Sequence, residues 1–453
     1  MGSLTERATI SWNVDKKNRP CHSHRVVETP RNALRLLRER HEDRVIELLR
    51  SHGALSRAEL ARRTGLSRAT LSSIIERLLS AGAVVETTGE PATGTRRRGR
   101  PPTLLNLNPA GGLALGIDVG RRRIHVSVAN VAHDVIAATS ASCSETASWQ
   151  ERTSAALELV ESLCARYHIS LAALEAVGVG VVGPVAETGF VAEAGVAPRT
   201  DDDGAPDPAR VVHELVEERF GVPAYVDNNT RLAALAEAIW GSGAGSDNVL
   251  YVHLSYGVGG GLVLGGHLFS GAFGGAAEFG HVSVDPDGPE CPCGGRGCLE
   301  RYVCMDAILD CCGADDLDHL IEQLQRADAD PDGRAHQAVR EAGQRLGRVV
   351  AAACNVVNPE VVVVGGPVAR IGEPLLASVR ETIAAYSHRS VHRALTVRGA
   401  HFTEDAAALG GIALVLRRSA LLAGYPATHV GPPAGGRTST VNEEEEWRTG
   451  SDQ

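Results

Sequence analysis

The chain has 453 residues, of which 43% are hydrophobic and 22% charged. This length and composition indicate a globular protein of several domains and exclude a disordered chain, a collagen or a small disulfide-stapled protein. No apolar run reaches the roughly 18 residues that a membrane-spanning helix needs, and the first 30 residues lack the apolar segment of a signal peptide. We therefore expect a cytoplasmic protein without a membrane partner, whose ten cysteines are thiols or metal ligands rather than disulfides.

The net charge of −10 conceals an asymmetry along the chain. Residues 1–110 carry 20 basic and 11 acidic side chains, a net +9, whereas the remaining residues carry 25 and 44, a net −19. A basic segment joined to an acidic body indicates that the segment contacts a polyanion. A solvated basic surface is the alternative that charge alone leaves open.

The first 105 residues divide into a tail and a small domain. Residues 1–30 have no apolar period and predict a flexible tail. From Arg31 to Arg50 apolar residues recur near a 3.6-residue period, which predicts a helix. Two short helices with a tight turn follow over residues 51–86, and residues 87–103 are rich in Gly, Pro, Thr and Arg, as in a wing or linker.

Residues 56–80 read SRAELARRTGLSRATLSSIIERLLS and predict a helix-turn-helix. Ser56 and Glu59 form a capping-box pattern, Gly65 permits the turn, and the second helix has one apolar stripe. In such motifs the second helix enters the major groove of DNA. Its outward polar residues are the candidates for base and phosphate contacts: Ser67, Arg68, Thr70, Ser72 and Ser73. An ordinary pair of antiparallel helices is the alternative.

The segment after this motif favours a winged helix-turn-helix. Residues 83–86 read as a strand and Leu104–Leu107 as its return strand. The loop between them carries four arginines at the tip of the predicted wing, where they are placed to contact phosphates or a narrow minor groove: Arg96, Arg97, Arg98 and Arg100. We therefore predict a DNA-binding domain over residues 31–105. A duplex operator with paired half-sites further predicts a homodimer or homotetramer.

Small apolar residues dominate from Leu104 onwards, and strand-like and helical runs alternate. The predicted strands are 113–119, 124–131, 176–182, 222–226, 249–254 and 361–364, and the main predicted helices are 151–166, 208–220, 230–240 and 335–357. This alternation predicts an α/β body over residues 106–424. Residues 425–453 contain Pro-Pro, Gly-Gly and four consecutive glutamates, and they predict a disordered tail.

Three cysteines of the body have the spacing of a metal site. Cys291, Cys293 and Cys298 follow the pattern C-x-C-x4-C, with glycines that allow a tight loop. Such thiolate clusters favour Zn²⁺, and a closed tetrahedron needs a fourth ligand, for which His281 is the candidate. Reduced thiols without a metal are the alternative. The other cysteines show no such spacing and are interpreted as core or surface thiols.

Four segments of the body, together with the predicted DNA-binding domain, resemble the ROK family (repressors, open reading frames and sugar kinases). These segments are Gly116–Gly120, Val226–Glu237, Glu278–His281 and Cys291–Glu300. The resemblance runs from about residue 31 to residue 422 and implies a two-lobed, actin/hexokinase-like α/β body with a sugar in its cleft. The family's repressor branch carries an N-terminal winged helix-turn-helix domain, which gives the expected fold class of the whole chain.

The resemblance also implies a sugar site and supports His281 as the fourth zinc ligand. The residues that correspond to sugar contacts are Asn228, Asn229, Glu278, His281 and Glu300. His281 would offer one ring nitrogen to zinc and the other to a hydroxyl. Glu300 lies two residues after Cys298, so a zinc ion would fix the loop that presents it. The alternative is that these polar residues only maintain the fold.

Three departures from the family pattern fall on elements that a sugar kinase needs. Asn229 stands where the family has its aspartate base, and an amide cannot accept the proton. Arg122 replaces a threonine of the first phosphate loop, and Tyr256 replaces a threonine of the second. We therefore expect no catalytic residue and no enzyme activity. The run Arg121–Arg123 is expected to be a solvated turn.

The sequence thus predicts a sugar-responsive transcriptional regulator, a repressor of carbohydrate-metabolism genes, with zinc as its cofactor. In this interpretation sugar binding closes the cleft and shifts the population between forms that bind operator and forms that do not. One alternative is an active sugar kinase that carries a DNA-binding domain. Another is a regulator controlled by a partner protein, with an empty sugar pocket.

Overall fold

The structure is a computed structural model, and it describes residues 41–418 with gaps at 43, 51, 81, 89–102, 109–110, 131–132, 184, 186–206 and 327–332. Several sequence predictions lie outside the described residues. They are the tails at 1–30 and 425–453, the first part of the helix predicted over 31–50, and the wing arginines Arg96, Arg97, Arg98 and Arg100. Within the described ranges, no helix has the length and apolar character needed to cross a membrane.

The N-terminal domain has helical and strand elements in the order of a winged helix-turn-helix. They are α1 (44–50), β1 (Leu55–Ser56), α2 (Arg57–Thr64), α3 (Arg68–Ser80), β2 (Val84–Thr88) and β3 (Thr103–Leu107). The strands form one antiparallel sheet of order β1-β3-β2. Thr88 pairs with Thr103, so the two ends of the wing segment lie side by side.

Local capping explains where the two helices of this motif begin and end. The Ser56 hydroxyl accepts a hydrogen bond from the Glu59 amide at 3.2 Å, which caps the start of α2. Gly65 ends α2 with a φ of 70°, a left-handed conformation that glycine adopts without strain. The Ser67 hydroxyl accepts from the Thr70 amide at 3.1 Å and so caps α3. The predicted apolar stripe of α3 is buried: Leu71, Ile74, Ile75 and Leu78.

The first lobe of the body is built on a five-stranded sheet. Its strands are β4 (Leu113–Val119), β5 (Arg123–Asn130), β6 (Val135–Ser142), β7 (Leu174–Val181) and β8 (Ala224–Asn228). Their order is β6-β5-β4-β7-β8, antiparallel from β6 to β4 and parallel from β4 to β8. Two helices pack against this sheet and against each other: α4 (Trp149–Tyr167) and α5 (Pro208–Phe220).

The second lobe repeats this topology. Its strands are β9 (Val249–Leu254), β10 (Val258–Leu264), β11 (His267–Phe269), β12 (Val361–Gly365) and β13 (Thr396–Gly399). Their order is β11-β10-β9-β12-β13. Taken in chain order, the five strands therefore occupy the same positions in this sheet as those of the first lobe do in theirs. Its helices are α7 (Glu300–Val303), α8 (Met305–Cys312), α9 (Leu317–Gln325), α10 (Arg334–Val357), α11 (Glu373–Tyr386) and α12 (Arg389–Ala394), of which α8 to α11 contribute to the large core on the β9–β12 sheet.

Two helices join the sheets of the two lobes: α6 (Asn229–Ile239) and α13 (Ala406–Arg418). Helix α13 packs on β4 and β7, α6 packs on β9 and β10, and the two helices pack against each other. Glycines permit this close approach, because a Cβ on Gly116 would lie 1.9 Å from the Ala408 carbonyl oxygen and one on Gly178 would lie 2.0 Å from that of Gly411.

The structure confirms the strands and helices predicted for the body, with bounds displaced by at most two residues. It adds elements that periodicity did not reveal: β6, β10, β11, β13, α7, α8, α9, α11, α12 and α13. The β6 strand shows why. It lies at the edge of its sheet, and most of its side chains are exposed or half-buried, so its composition resembles that of a loop.

Candidate functional site

The parallel strands of the first lobe end at one edge of the sheet, where the family resemblance predicts the floor of a cleft. Asp118 in β4, Gly180 in β7 and Asn228 in β8 lie near the carboxyl ends of neighbouring strands. Ligands of open α/β sheets bind at this edge. The second lobe reaches the same place, because the Thr230 hydroxyl donates to the Gly260 carbonyl of β10 at 3.1 Å.

Asn228 is the N-cap of α6. Its Oδ1 accepts from the backbone amides of Thr230 and Arg231 at 2.9 and 3.0 Å. Its Nδ2 donates to the Gly183 carbonyl at 2.8 Å, so one N–H of the amide remains for a ligand. Asn228 remains a predicted sugar contact, and its capping role was not predicted, although Asn directly before a helix is a recognisable signal.

Asn229, at the position of the family's base, forms a hydrogen bond with a buried carboxyl group. Its Nδ2 donates to Asp118 Oδ1 at 3.3 Å. Asp118 is only 7% exposed, and burial raises the pKa of its carboxyl group to about 7, against the smaller opposing effect of the Asn229 hydrogen bond. The pairing of these two side chains was not foreseen from the sequence, since they are 111 positions apart.

Arg231 fixes the loops that surround the floor. Its guanidinium is 2% exposed, forms an ion pair with Asp227, and donates to the carbonyl oxygens of Val185 and Gly274. The Gly274 contact anchors the loop that leads to Glu278. Sequence reasoning missed this role because a buried arginine is identified by its partners, and they lie up to 46 residues away.

Glu278, His281 and Glu300 are brought together in the second lobe. Burial raises the pKa of the Glu278 carboxyl, while the charges of His281 and Arg231 lower it and that of Glu300 raises it. Glu300 begins α7 and accepts a hydrogen bond from the Val258 amide at 2.8 Å through one carboxylate oxygen. The structure thus gathers carboxylate and imidazole groups on one side of the cleft and the Asn228–Asn229 pair on its floor, a donor and acceptor set suited to hydroxyl groups.

The predicted metal ligands form one cluster. The ligand atoms of His281, Cys291, Cys293 and Cys298 all lie within 4.8 Å of one another. The Cys293 and Cys298 sulfurs are 3.7 Å apart, and the Cys291 sulfur is 3.6 Å from His281 Nδ1. With zinc–sulfur bonds of about 2.3 Å, the edges of a tetrahedron are about 3.8 Å. The residues present therefore fit a tetrahedral zinc ion.

Backbone hydrogen bonds hold the loop that carries these cysteines. The Cys291 amide donates to the Gly295 carbonyl at 2.9 Å, and the Leu299 amide donates to the Val282 carbonyl at 2.9 Å. Gly297 has a φ of 61°, and a Cβ there would lie 1.6 Å from the Asp285 carbonyl oxygen, so the loop requires glycine at this position. Among the remaining cysteines, Cys354 is buried and Cys311 is exposed, as expected for core and surface thiols.

The side chains of Arg121–Arg123 are exposed, as expected for a solvated turn, and two of them also have partners on other segments. Arg122 forms an ion pair with Glu145, and its guanidinium carbon lies 3.5 Å from the centroid of the Tyr256 ring. Arg123 pairs with Glu404 at 2.6 Å. Acidic and aromatic groups on other segments contact these side chains, and these contacts were not predicted from local sequence patterns.

The exposed face of α3 carries the residues predicted to contact DNA. Ser67, Arg68, Thr70 and Ser73 are exposed and Ser72 is half-buried, whereas the opposite face is in the core. No acidic residue lies in the first turn of α3, so its positive N-terminal end is not neutralised there.

Comparisons with known proteins agree with this architecture. The chain matches the ROK family over residues 114–418 and the winged helix-turn-helix DNA-binding family over residues 40–85. It is 26% identical over 396 residues to the xylose repressor of Caldicellulosiruptor bescii, which covers 84% of this chain and 96% of the repressor. It is 32% identical over 221 residues to the glucokinase of Thermotoga maritima, which covers 44% of this chain and 68% of the kinase.

Among solved structures, a ROK family transcriptional regulator described as a homologue of the Escherichia coli Mlc protein superimposes with a TM-score of 0.68. It is 24% identical and covers 86% of this chain and 98% of that one, so this similarity shows a shared fold. This protein therefore belongs to the ROK family. It carries an N-terminal winged helix-turn-helix domain followed by the family's actin/hexokinase-like α/β body.

The raised pKa of Asp118 predicts a pH-dependent stability. A carboxyl group whose folded pKa lies above its unfolded value favours folding less as the pH rises from the unfolded pKa, near 4, to the folded pKa of about 7. Asp118→Asn removes this titration and keeps an acceptor for Asn229. We expect the melting temperature of the variant, relative to wild type, to be higher at pH 8 than at pH 4.5. An equal difference at both pH values would contradict the assignment.

Proposed function

We propose that this protein is a sugar-responsive DNA-binding transcriptional regulator, a repressor of carbohydrate-metabolism genes, whose kinase-like body binds a sugar without phosphorylating it. The proposal rests on the set of polar side chains in the candidate cleft. Carboxylate, imidazole and amide groups suited to hydroxyls converge there, yet the position of the base holds Asn229, which donates to Asp118. The same chain presents a helix-turn-helix with an exposed polar face.

The family contains both repressors and kinases, so the choice between these two functions depends on the residues of the site. Phosphoryl transfer to a sugar needs a base that accepts the hydroxyl proton and loops that hold the phosphates. Asn229 cannot accept that proton. Arg122 and Tyr256 meet each other at the turns where the resemblance places phosphate loops. These contacts support a binding function over catalysis, and the length shared with a xylose repressor supports a regulator.

A sugar-bound body would act on the operator through cleft closure. The two lobes are linked by α6 and α13, and a ligand that contacts both the floor and the Glu278–Glu300 side favours the closed arrangement. Two helix-turn-helix domains in a homodimer or homotetramer read paired half-sites, so a change in their spacing alters operator affinity. The sugar in this proposal is a hexose or pentose, because polar groups of this kind recognise hydroxyls.

The first prediction of the proposed function concerns DNA binding by α3 and the predicted wing. Arg68→Ala should lower affinity for the preferred operator by about 1–3 kcal/mol and relax its sequence preference, if the guanidinium contacts a base. Replacing Arg96, Arg97, Arg98 and Arg100 with Ala should weaken binding to all duplexes and reduce the salt slope by about 0.9 per lost phosphate contact. Operator selection from a random library, followed by salt titration of the affinity, measures both effects.

Arg210→Ala is the matched control for charge, since it removes an exposed arginine from α5 in the body. It should leave affinity and salt slope unchanged. Failure of the full chain to bind any duplex at low salt would overturn the DNA-binding proposal.

The second prediction is one structural zinc ion per chain, bound by His281, Cys291, Cys293 and Cys298. Cys293→Ser should remove the metal and increase proteolysis of the loop at 282–299, because metal binding and loop folding are coupled. Elemental analysis and limited proteolysis of purified protein measure these effects. Cys311→Ser, at an exposed cysteine outside the cluster, should retain the metal. Protein that was never exposed to a chelator and contains no zinc would disprove the site.

The third prediction is sugar binding without turnover. In a panel that begins with xylose and glucose and includes sugar phosphates, one compound at 100 times its dissociation constant should stabilise the protein by about 2.7 kcal/mol. Glu278→Ala and Glu300→Ala should abolish this shift and the effector response, while operator affinity stays at the wild-type level. Glu290→Gln, an exposed acid of the same loop, should not affect either.

Two results would count against this proposal. ATP-dependent turnover of the bound sugar that disappears in Asp118→Asn would identify Asp118 as a base and favour the kinase alternative. The absence of any stabilising sugar, in a protein that binds its operator, would favour regulation by a partner protein.

A further inference from the structure

Two equivalent turns of the repeated topology face each other across the cleft. In each lobe the first strand of the sheet turns into the second, at residues 120–122 between β4 and β5 and at residues 255–257 between β9 and β10. Arg122 is in the first turn and Tyr256 is in the second, and the guanidinium stacks over the ring at 3.5 Å. This contact joins the two lobes through side chains that belong to neither α6 nor α13.

The turn of the first lobe is held rigidly by a buried arginine. Arg152 is 6% exposed and donates to the carbonyl oxygens of Gly120 and Arg121 at 2.9 and 3.0 Å. It also donates to those of Glu145 and Ala147, which ties the turn to the segment that begins α4. The Glu145 carboxylate in turn pairs with Arg122. The backbone beside Arg122 is therefore held within its own lobe, and the ion pair with Glu145 orients the Arg122 side chain.

The turn of the second lobe is held by groups of the candidate sugar site. The Ser255 amide donates to the Gly257 carbonyl at 2.9 Å, and the Met305 amide donates to the Ser255 carbonyl at 2.8 Å. Glu300 accepts from the Val258 amide at the end of this turn. Tyr256 therefore projects from a fixed backbone, and its ring is 43% exposed, as expected at the rim of a cleft.

We propose that Arg122 and Tyr256 form a clasp across the mouth of the cleft, which holds the two lobes together without a nucleotide. Each partner is fixed within its own lobe, so relative movement of the lobes must break the stack. An arginine above a tyrosine face is attracted by the ring quadrupole and keeps that attraction when part of the pair is solvated. The clasp rests on this geometry and is independent of the proposed sugar and operator.

Hydrogen exchange of the full chain tests the clasp, because separation of the lobes exposes both turns. The reporter amides are Gly120, which donates to the Arg123 carbonyl, and Val258, which donates to Glu300. Tyr256→Leu and Arg122→Gln should each raise exchange in both turns by about two- to fivefold, the range expected for an exposed cation–π pair. The double variant should exchange no faster than the faster single variant, whereas Tyr256→Phe, which keeps the ring, should match wild type.

The matched control is the Arg348–Tyr386 pair. Both residues lie in the second lobe, with the guanidinium carbon 5.4 Å from the ring centroid. Arg348→Gln and Tyr386→Leu should leave exchange at both turns unchanged. The clasp is refuted if each substitution raises exchange only in the turn that carries it, or if the two effects multiply in the double variant. If Tyr256→Leu does not fold, the comparison of Arg122→Gln with Tyr256→Phe tests the clasp.

Discussion

The junction between β8 and α6 is the constraint on which the rest of the molecule depends. Asn228 ends the strand and caps the helix, so the direction of α6 is fixed at the carboxyl edge of the first sheet. From there α6 runs across to the second sheet, and α13 packs beside it. A four-residue segment thus presents the cap, the amide at the base position, the Thr230 contact to β10 and the buried guanidinium of Arg231.

The far end of α6 is tied as firmly as its start. Glu237 is fully buried, and its carboxylate accepts from the Ser242 and Phe402 amides at 2.7 Å each. These amides belong to the loops that follow α6 and that precede α13. A buried carboxylate without partners would be unfavourable, and here backbone donors satisfy it. The helix that links the lobes is therefore anchored at both ends by buried polar groups, which makes it suitable as the axis of a lobe movement.

Sequence reasoning located the parts of the molecule whose signals are local. The helix-turn-helix follows from capping residues and one apolar stripe between Ser56 and Ser80, and the metal cluster follows from cysteine spacing. Contacts between distant segments left no such signal. The Asp118–Asn229 hydrogen bond, the Arg231 anchor and the Arg122–Tyr256 stack each join residues from separate elements. Helix α13 was missed for a related reason, because its AAALGG run is buried on all sides and has no polar face.

The amide at position 229 determines the electrostatics around the buried carboxyl group of Asp118. With an aspartate there, its carboxylate would face that of the buried Asp118, and two like charges in such a place cannot both ionise without a compensating cation. The Asn229 amide removes that conflict and donates to Asp118. At the rim, the Arg122–Tyr256 stack joins the two lobes through a cation–π contact. Under the proposed function, the binding energy of a sugar is then available to shift the equilibrium between lobe arrangements, as a sensor requires.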